Sequence, residues 1–137
     1  MDCVFCKIVE GKIPSVKVLE DRDTVAFMDI NPLTPGHLLV VPKRHFVGLW
    51  DADDATLGAT MRSVRRVALA LKQTLGLDSL NVLQATGKWA AQSVPHLHFH
   101  LIPRSEGDGA GMDWPLNPGQ MDAIQALGGK IAAALKP

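Results

Sequence analysis

The chain has 137 residues, of which 47% are hydrophobic and 20% are charged, a composition typical of one globular domain that folds without disulfides. Its 14 lysines and arginines balance its 14 aspartates and glutamates, which argues against nucleic acid or an acidic membrane surface as a partner. No long apolar run follows the N-terminus, so we expect neither a signal peptide nor a membrane span and assign the protein to the cytoplasm.

The first third of the chain is predicted to form a short helix and three strands. Residues 3–10 can make a short helix that ends at Gly11. Runs of strand-forming residues at 16–19 and 24–29 flank the polar turn 20–23, which predicts a hairpin. A third strand is predicted at 37–41, where Pro42 ends it.

The next element is a long amphipathic helix over 51–76, with Asp51–Asp54 as cap candidates and Gly76 as its end. Its apolar residues recur every three or four positions, at Leu57, Met61, Val64, Ala68, Leu71 and Leu75. Two neighbouring strands follow, at 80–84 and after Pro95.

The chain then becomes flexible by composition over 105–111 and ends in a second helix. Asn117 and Pro118 have the form of an N-cap followed by proline at the first helical position. The apolar face predicted for this helix consists of Met121, Ile124, Leu127, Ile131 and Leu135. Strands precede and separate only two long helices, which favours an α+β fold built on an antiparallel sheet.

Cys3 and Cys6 are the only cysteines and have C-x-x-C spacing, which suits metal ligands or a redox pair. Redox pairs usually follow a strand in a β-α-β unit, and no strand precedes these two residues. The position of the pair therefore favours metal binding.

Three of the five histidines, His96, His98 and His100, alternate with apolar residues. In a strand they would share one face, about 7 Å apart along it, too far to close on one zinc ion but close enough to share a substrate. Three adjacent imidazolium charges would repel, so at least one ring should be neutral at pH 7 and able to act as a nucleophile.

Four segments together resemble the histidine-triad (HIT) family, near its histidine-triad nucleotide-binding branch. They are CVFCKI at 3–8, FMDINP at 27–32, PGHLLVVPKRH at 35–45 and QSVPHLHFHLIPR at 92–104. The resemblance implies an α+β, HIT-like fold: a five-stranded antiparallel sheet, one long helix and a C-terminal helix. It also implies a homodimer of single-domain chains, each domain spanning 1–137, with 105–137 as a less typical extension.

By this resemblance the protein binds a nucleotide and cleaves nucleoside monophosphate conjugates, such as purine nucleoside phosphoramidates, at the α-phosphate. His98 would be the nucleophile that carries the nucleotide covalently, and its catalytic partners would be His100, Ser93 and Gln92, which also contact the nucleotide. The other nucleotide contacts would be Phe5, Ile8, Phe27 and Ile30 around the base and Asp29 at the ribose. The alternatives are a dinucleoside polyphosphate hydrolase, a nucleotide-binding module with vestigial activity, and a metal-dependent enzyme that uses the three histidines as ligands.

Some members of the family also hold a structural zinc ion. The matching positions here are Cys3, Cys6, His45 and His96, a set suited to closed tetrahedral coordination.

Two residues depart from the family pattern. Ala85 replaces a common asparagine, which removes a polar contact worth about 0.5–1.5 kcal/mol. Ala91 replaces a common glycine, and alanine tolerates positive φ poorly. Both changes bear on substrate range and rate.

Overall fold

The computed structural model describes residues 2–135; Met1, Lys136 and Pro137, the ends of the predicted domain, lie outside the described residues. The elements follow the predicted order: α1 (Val4–Val9), β1 (Lys17–Glu20), β2 (Thr24–Met28), β3 (Leu38–Pro42), α2 (Asp54–Leu75), β4 (Ser79–Gln84), β5 (Phe99–Arg104) and α3 (Met121–Leu135). The five strands form one antiparallel sheet in the order β1-β2-β3-β5-β4. The predicted fold class is confirmed.

The central strand β3 and its neighbour β2 are buried on both faces, so alternate residues enter two separate cores. Ala26, Leu38 and Val40 pack with α2 on one face. Val25 and Val41, on the other face, belong to the core that α1 completes. Packing in this second core holds the N-terminal segment against the middle of the sheet, where the site described below lies.

Helix α2 begins and ends at the residue types that its sequence predicted. The Asp53 carboxylate accepts a hydrogen bond from Thr56 N at 2.7 Å, and Gly76 adopts a left-handed conformation with φ 64°. Asp51, another of the cap candidates, accepts hydrogen bonds instead from the backbone N–H groups of Val47 and Gly48.

The predicted apolar face of α2 is wrong at two positions, Met61 and Leu75, which are both 47% exposed. The row that faces the sheet is displaced toward Thr60, Ser63 and Val67. Ser63 Oγ lies 2.6 Å from Thr24 Oγ1 of β2, so small polar side chains let the helix approach the sheet closely. A prediction based only on the period of hydrophobic residues does not find a contact between two polar side chains.

The histidine segment is only partly a strand. Strand β5 starts at Phe99, so His100 lies in the sheet while His96 and His98 lie in the loop before it. Leu97 N donates to Phe46 O at 2.7 Å, which fixes this loop against the segment after β3.

The C-terminal helix exists, but it begins at Met121, three residues after Pro118. None of its residues is buried. Among residues 2–135, no helix is both long enough and apolar enough to cross a bilayer.

Candidate active site and metal centre

A cavity of about 380 Å³ lies where α1, the end of β2 and the histidine loop meet. Eight of the residues predicted to bind nucleotide line it: Phe5, Ile8, Phe27, Asp29, Ile30, Ser93, His98 and His100. Phe5, Ile8 and Phe27 are buried, and their rings and methyl groups make one apolar wall. Ile30 is 87% exposed and lies at the mouth. The cavity therefore combines an apolar slot with polar groups at one end.

His98 is held with one ring nitrogen toward the backbone. Its Nδ1 lies 2.7 Å from His96 O, a carbonyl that can only accept, so Nδ1 carries the proton and Nε2 keeps its lone pair. The ring is 2% exposed and packs edge-on against Phe5 at 5.1 Å between centroids. Burial lowers the pKa of His98, which favours the neutral ring. A neutral imidazole with a free Nε2 is a nucleophile.

His100 is oriented by His37, which the sequence did not predict as a site residue. Leu33 N donates to His37 Nδ1 at 2.9 Å, so the His37 proton resides on Nε2. That nitrogen lies 2.9 Å from His100 Nδ1 and donates to it, which leaves the His100 proton on Nε2. Burial, reinforced by the neighbouring His98, lowers the pKa of His100 to about 4. His100 is thereby prepared as a neutral hydrogen-bond donor.

Asp29 contacts both the loop after β2 and the histidine cluster. Its Oδ1 accepts a hydrogen bond from Asn31 N at 2.8 Å, while its Oδ2 lies 3.4 Å from His37 Nε2. The carboxylate also lines the cavity, where its charge opposes the lowering of the pKa of His37.

Of the two predicted polar loop residues, only Ser93 lines the cavity. Gln92 accepts from Gly87 N at 2.8 Å and donates to Val47 O at 2.6 Å and Val94 O at 3.0 Å. Gln92 therefore ties the loop before the histidines to the segment after β3.

Ala91, in the same loop, has φ 63°, the left-handed conformation that favours glycine. The left-handed conformation destabilises an L-residue by about 1–2 kcal/mol. Glycine avoids this strain but loses about 0.5–1 kcal/mol more conformational entropy than alanine on folding. We expect Ala91→Gly to raise the free energy of unfolding by about 0.5–1 kcal/mol, measured by urea titration. Ala90→Gly, at a neighbouring position without positive φ, is the matched control and should lower it; equal effects of the two would contradict strain at Ala91.

Cys3, Cys6, His45 and His96 converge on the other side of the histidine loop. The distances are 3.4 Å from Cys3 Sγ to His96 Nδ1, 3.3 Å from Cys6 Sγ to His45 Nδ1 and 3.1 Å between the two Nδ1 atoms. A tetrahedral zinc ion needs about 3.5 Å between sulfur and nitrogen and about 3.3 Å between nitrogens.

The tautomer of His96 also suits a metal. Its Nε2 lies 2.8 Å from Pro42 O and donates to it, so Nδ1 is free to bind a metal ion. Both cysteines are free thiols. By donor type, spacing and tautomer, the four residues fit tetrahedral zinc.

Comparisons with known proteins give a consistent result. A sequence profile of the HIT domain matches residues 10–107. The adenosine 5'-monophosphoramidase of Schizosaccharomyces pombe is 41% identical over 137 residues, which cover 99% of this chain and 100% of that protein.

Two crystal structures extend the comparison. A HIT family member from Bacillus subtilis superposes with a TM-score of 0.92 at 37% identity, covering 100% of this chain and 99% of that one. A zinc-bound histidine triad protein from Mycobacterium smegmatis gives a TM-score of 0.76 at 34% identity, with 98% of each chain covered.

Proposed function

Because this chain belongs to the HIT family, we propose that it is a nucleotide hydrolase that cleaves nucleoside monophosphate conjugates at the α-phosphate, with purine nucleoside phosphoramidates as its substrate class. The observation that carries the proposal is His98, whose Nδ1 proton is committed to His96 O inside a nucleotide-sized cavity. The phosphoramidase activity named for the S. pombe relative points to the same class of reaction.

The nucleotide is proposed to enter with its base in the apolar slot. Phe5 and Phe27, whose ring centroids lie 5.4 Å apart, supply aromatic surface, Ile8 lies beside them, and Ile30 closes the mouth. The Asp29 carboxylate is the acceptor for the ribose hydroxyls, since one of its oxygens faces the histidines rather than its own turn. This pose directs the α-phosphate toward His98.

The proposed reaction has two displacements. His98 Nε2 attacks phosphorus, a P–N bond to the ring forms, and the P–N bond to the leaving amine breaks as that amine takes up a proton. Water then attacks the nucleotidyl-histidine, the bond to His98 breaks, and the nucleoside monophosphate leaves. Two displacements replace one difficult hydrolysis.

His100 and Ser93 are proposed to stabilise the negative charge that develops on the phosphoryl oxygens. His100 Nε2–H is available because His37 occupies its other nitrogen, and Ser93 lines the same cavity. Gln92 is proposed to act next to them through the loop backbone that it holds, rather than through its own amide, which is already bonded.

Zinc is proposed to be the structural metal at Cys3, Cys6, His45 and His96. The interatomic distances above support it, and the zinc-bound M. smegmatis relative shows that such a protein can hold the ion. Bound zinc would supply a closed tetrahedral crosslink between the N-terminal segment and the histidine loop, without an open position for chemistry.

We further propose that the protein works as a homodimer in the cytoplasm, where thiols such as Cys3 and Cys6 stay reduced. Its partners would be small-molecule nucleotides.

The test is rapid quenching of the wild-type protein with adenosine 5'-phosphoramidate, followed by intact mass analysis. A transient nucleotidyl adduct that maps to His98 and decays to AMP is expected. The same experiment with diadenosine polyphosphates, and with the guanosine and cytidine phosphoramidates, measures the leaving group and base that are preferred. Tight AMP binding without an adduct or turnover on any of these compounds would refute the hydrolase and leave a binding module.

A further inference from the structure

One buried polar atom has no hydrogen-bond partner in the protein. Among residues 2–135, Ser15 Oγ is the only buried side-chain nitrogen or oxygen that makes no hydrogen bond. A buried hydroxyl without a partner destabilises the fold, so native structures seldom keep one without a reason. The place of Ser15 in the fold points to that reason, because the residue lines the cavity proposed to bind the nucleotide.

Ser15 belongs to the apolar part of this cavity. It lies in the segment between α1 and β1, together with Ile13, which also lines the cavity. Ile13 packs against the buried cluster that contains the two aromatic rings of the slot. The next residue, Val16, accepts a hydrogen bond from Met28 N at 2.9 Å through its carbonyl oxygen. This bond fixes the segment beside the end of β2.

The other polar side chains of the cavity are accounted for. Four of them have proposed roles at the ribose and the phosphate: Asp29, Ser93, His98 and His100. Asn31 is exposed and follows Ile30 at the mouth. All remaining lining residues are apolar. Ser15 is therefore the polar side chain that is left to meet the base.

A bound purine has the complementary requirement. Its ring nitrogens accept hydrogen bonds in water, and burial in a slot of apolar groups alone would leave them unpaired. A serine hydroxyl has one O–H donor, and rotation about the Cα–Cβ bond carries it between staggered positions. One hydrogen bond from Ser15 Oγ to a ring nitrogen would satisfy both groups at once.

We infer that Ser15 is a specificity-determining residue that donates a hydrogen bond to a ring nitrogen of the purine base. The ring nitrogens N3 and N7 are acceptors in adenine and in guanine, so this bond serves both purines. The bond forms only when a base fills the slot, which explains why the hydroxyl is unpaired in the free protein. This inference rests on the proposed function and names the residue that recognises the base.

The test is a double-mutant cycle between the hydroxyl and the ring nitrogen, with binding measured by calorimetry on the full-length protein. Ser15→Ala should bind AMP about 3–10-fold more weakly than wild type. The analogues 3-deaza-AMP and 7-deaza-AMP each replace one ring nitrogen by C–H, and one of them should bind wild type more weakly by a similar factor. That analogue and AMP should bind Ser15→Ala equally, because both changes remove the same bond.

Ser79→Ala is the matched control, since it deletes the same oxygen at an exposed position outside the cavity. It should leave the affinity for AMP unchanged. The melting temperature supplies a second readout. Without ligand, Ser15→Ala should melt at or above the wild-type temperature, because the variant loses no hydrogen bond. AMP should raise the melting temperature of Ser15→Ala less than that of wild type.

The outcomes separate this inference from the proposed hydrolase. Equal affinity of wild type and Ser15→Ala for AMP, or a deaza-AMP penalty that persists in Ser15→Ala, would overturn the role of Ser15 and leave the hydrolase standing. A lower melting temperature of the unliganded variant would assign the hydroxyl to the fold and overturn the inference as well. A wild-type protein that binds no AMP would refute the proposed function itself.

Discussion

Replacing His98 with alanine should lower turnover of adenosine 5'-phosphoramidate by at least about 10⁴-fold and abolish the nucleotidyl adduct. The reason is geometric: removal of the ring deletes the free Nε2 that the His96 carbonyl orients into the cavity. Loss of a covalent nucleophile leaves only binding and charge stabilisation, which sustain a small residual rate. Single-turnover kinetics and intact mass analysis measure the two effects.

Two neighbouring variants separate the nucleophile from the groups that assist it. His100→Ala and Ser93→Ala should slow the reaction by about 10–10³-fold yet still form an adduct on His98, since each removes one donor to the phosphoryl group. The His98→Ala protein should still unfold cooperatively and still bind AMP, although loss of the buried ring should lower its melting temperature. Full turnover by His98→Ala, or an adduct that persists in it, would transfer the nucleophile to another residue.

Sequence predicted those elements whose periodicity and caps agreed. For α2, Asp53 and Gly76 fixed both ends to within a few residues, because an acceptor side chain and a left-handed glycine are local requirements. The buried face of α2 was harder to predict from the sequence: Thr60 and Ser63, rather than Met61, face the sheet. The face that is buried depends on the contact between Ser63 and Thr24 of β2, two residues that lie 39 positions apart in the sequence.

The histidine segment shows the same limit at the site. Alternation predicted a strand with His96, His98 and His100 on one face, but only His100 lies in β5. The family resemblance divided the three between metal and substrate. Their tautomers, however, are set by groups from remote segments: Pro42 O for His96 and His37 for His100. His37 lies 63 residues from His100, and only the pairing of β3 with β5 brings them together.

The C-terminal helix marks the other limit of prediction. A helix after Asn117 followed from composition and period, but its start shifted to Met121. Its predicted apolar face is present, but each large side chain of that face is more than half exposed, and a hydrophobic period does not specify which surface covers a helix.

Replacement of Cys3 with serine should lower bound zinc from about one ion per chain to less than about 0.1, measured by elemental analysis after dialysis against chelator. Serine isolates the metal effect, because it can keep the cap of α1: Cys3 Sγ accepts from Cys6 N at 3.3 Å, and serine is a preferred N-cap residue. The melting temperature should fall by about 5 °C or more, yet cooperative unfolding should remain, because two cores persist without the metal.

Loss of zinc should also disturb the orientation of the nucleophile His98, because both sites use His96. Its ring offers Nδ1 to the metal, while its own backbone carbonyl accepts the His98 Nδ1 proton at 2.7 Å. Releasing the ring loosens this carbonyl, so Cys3→Ser should lower kcat by about 10-fold and change KM for the nucleotide less. His98→Ala is the reciprocal control, since it should lose catalysis and keep its zinc. Zinc retained in Cys3→Ser, or lost in His98→Ala, would overturn the ligand assignment and with it the coupling between metal and nucleophile.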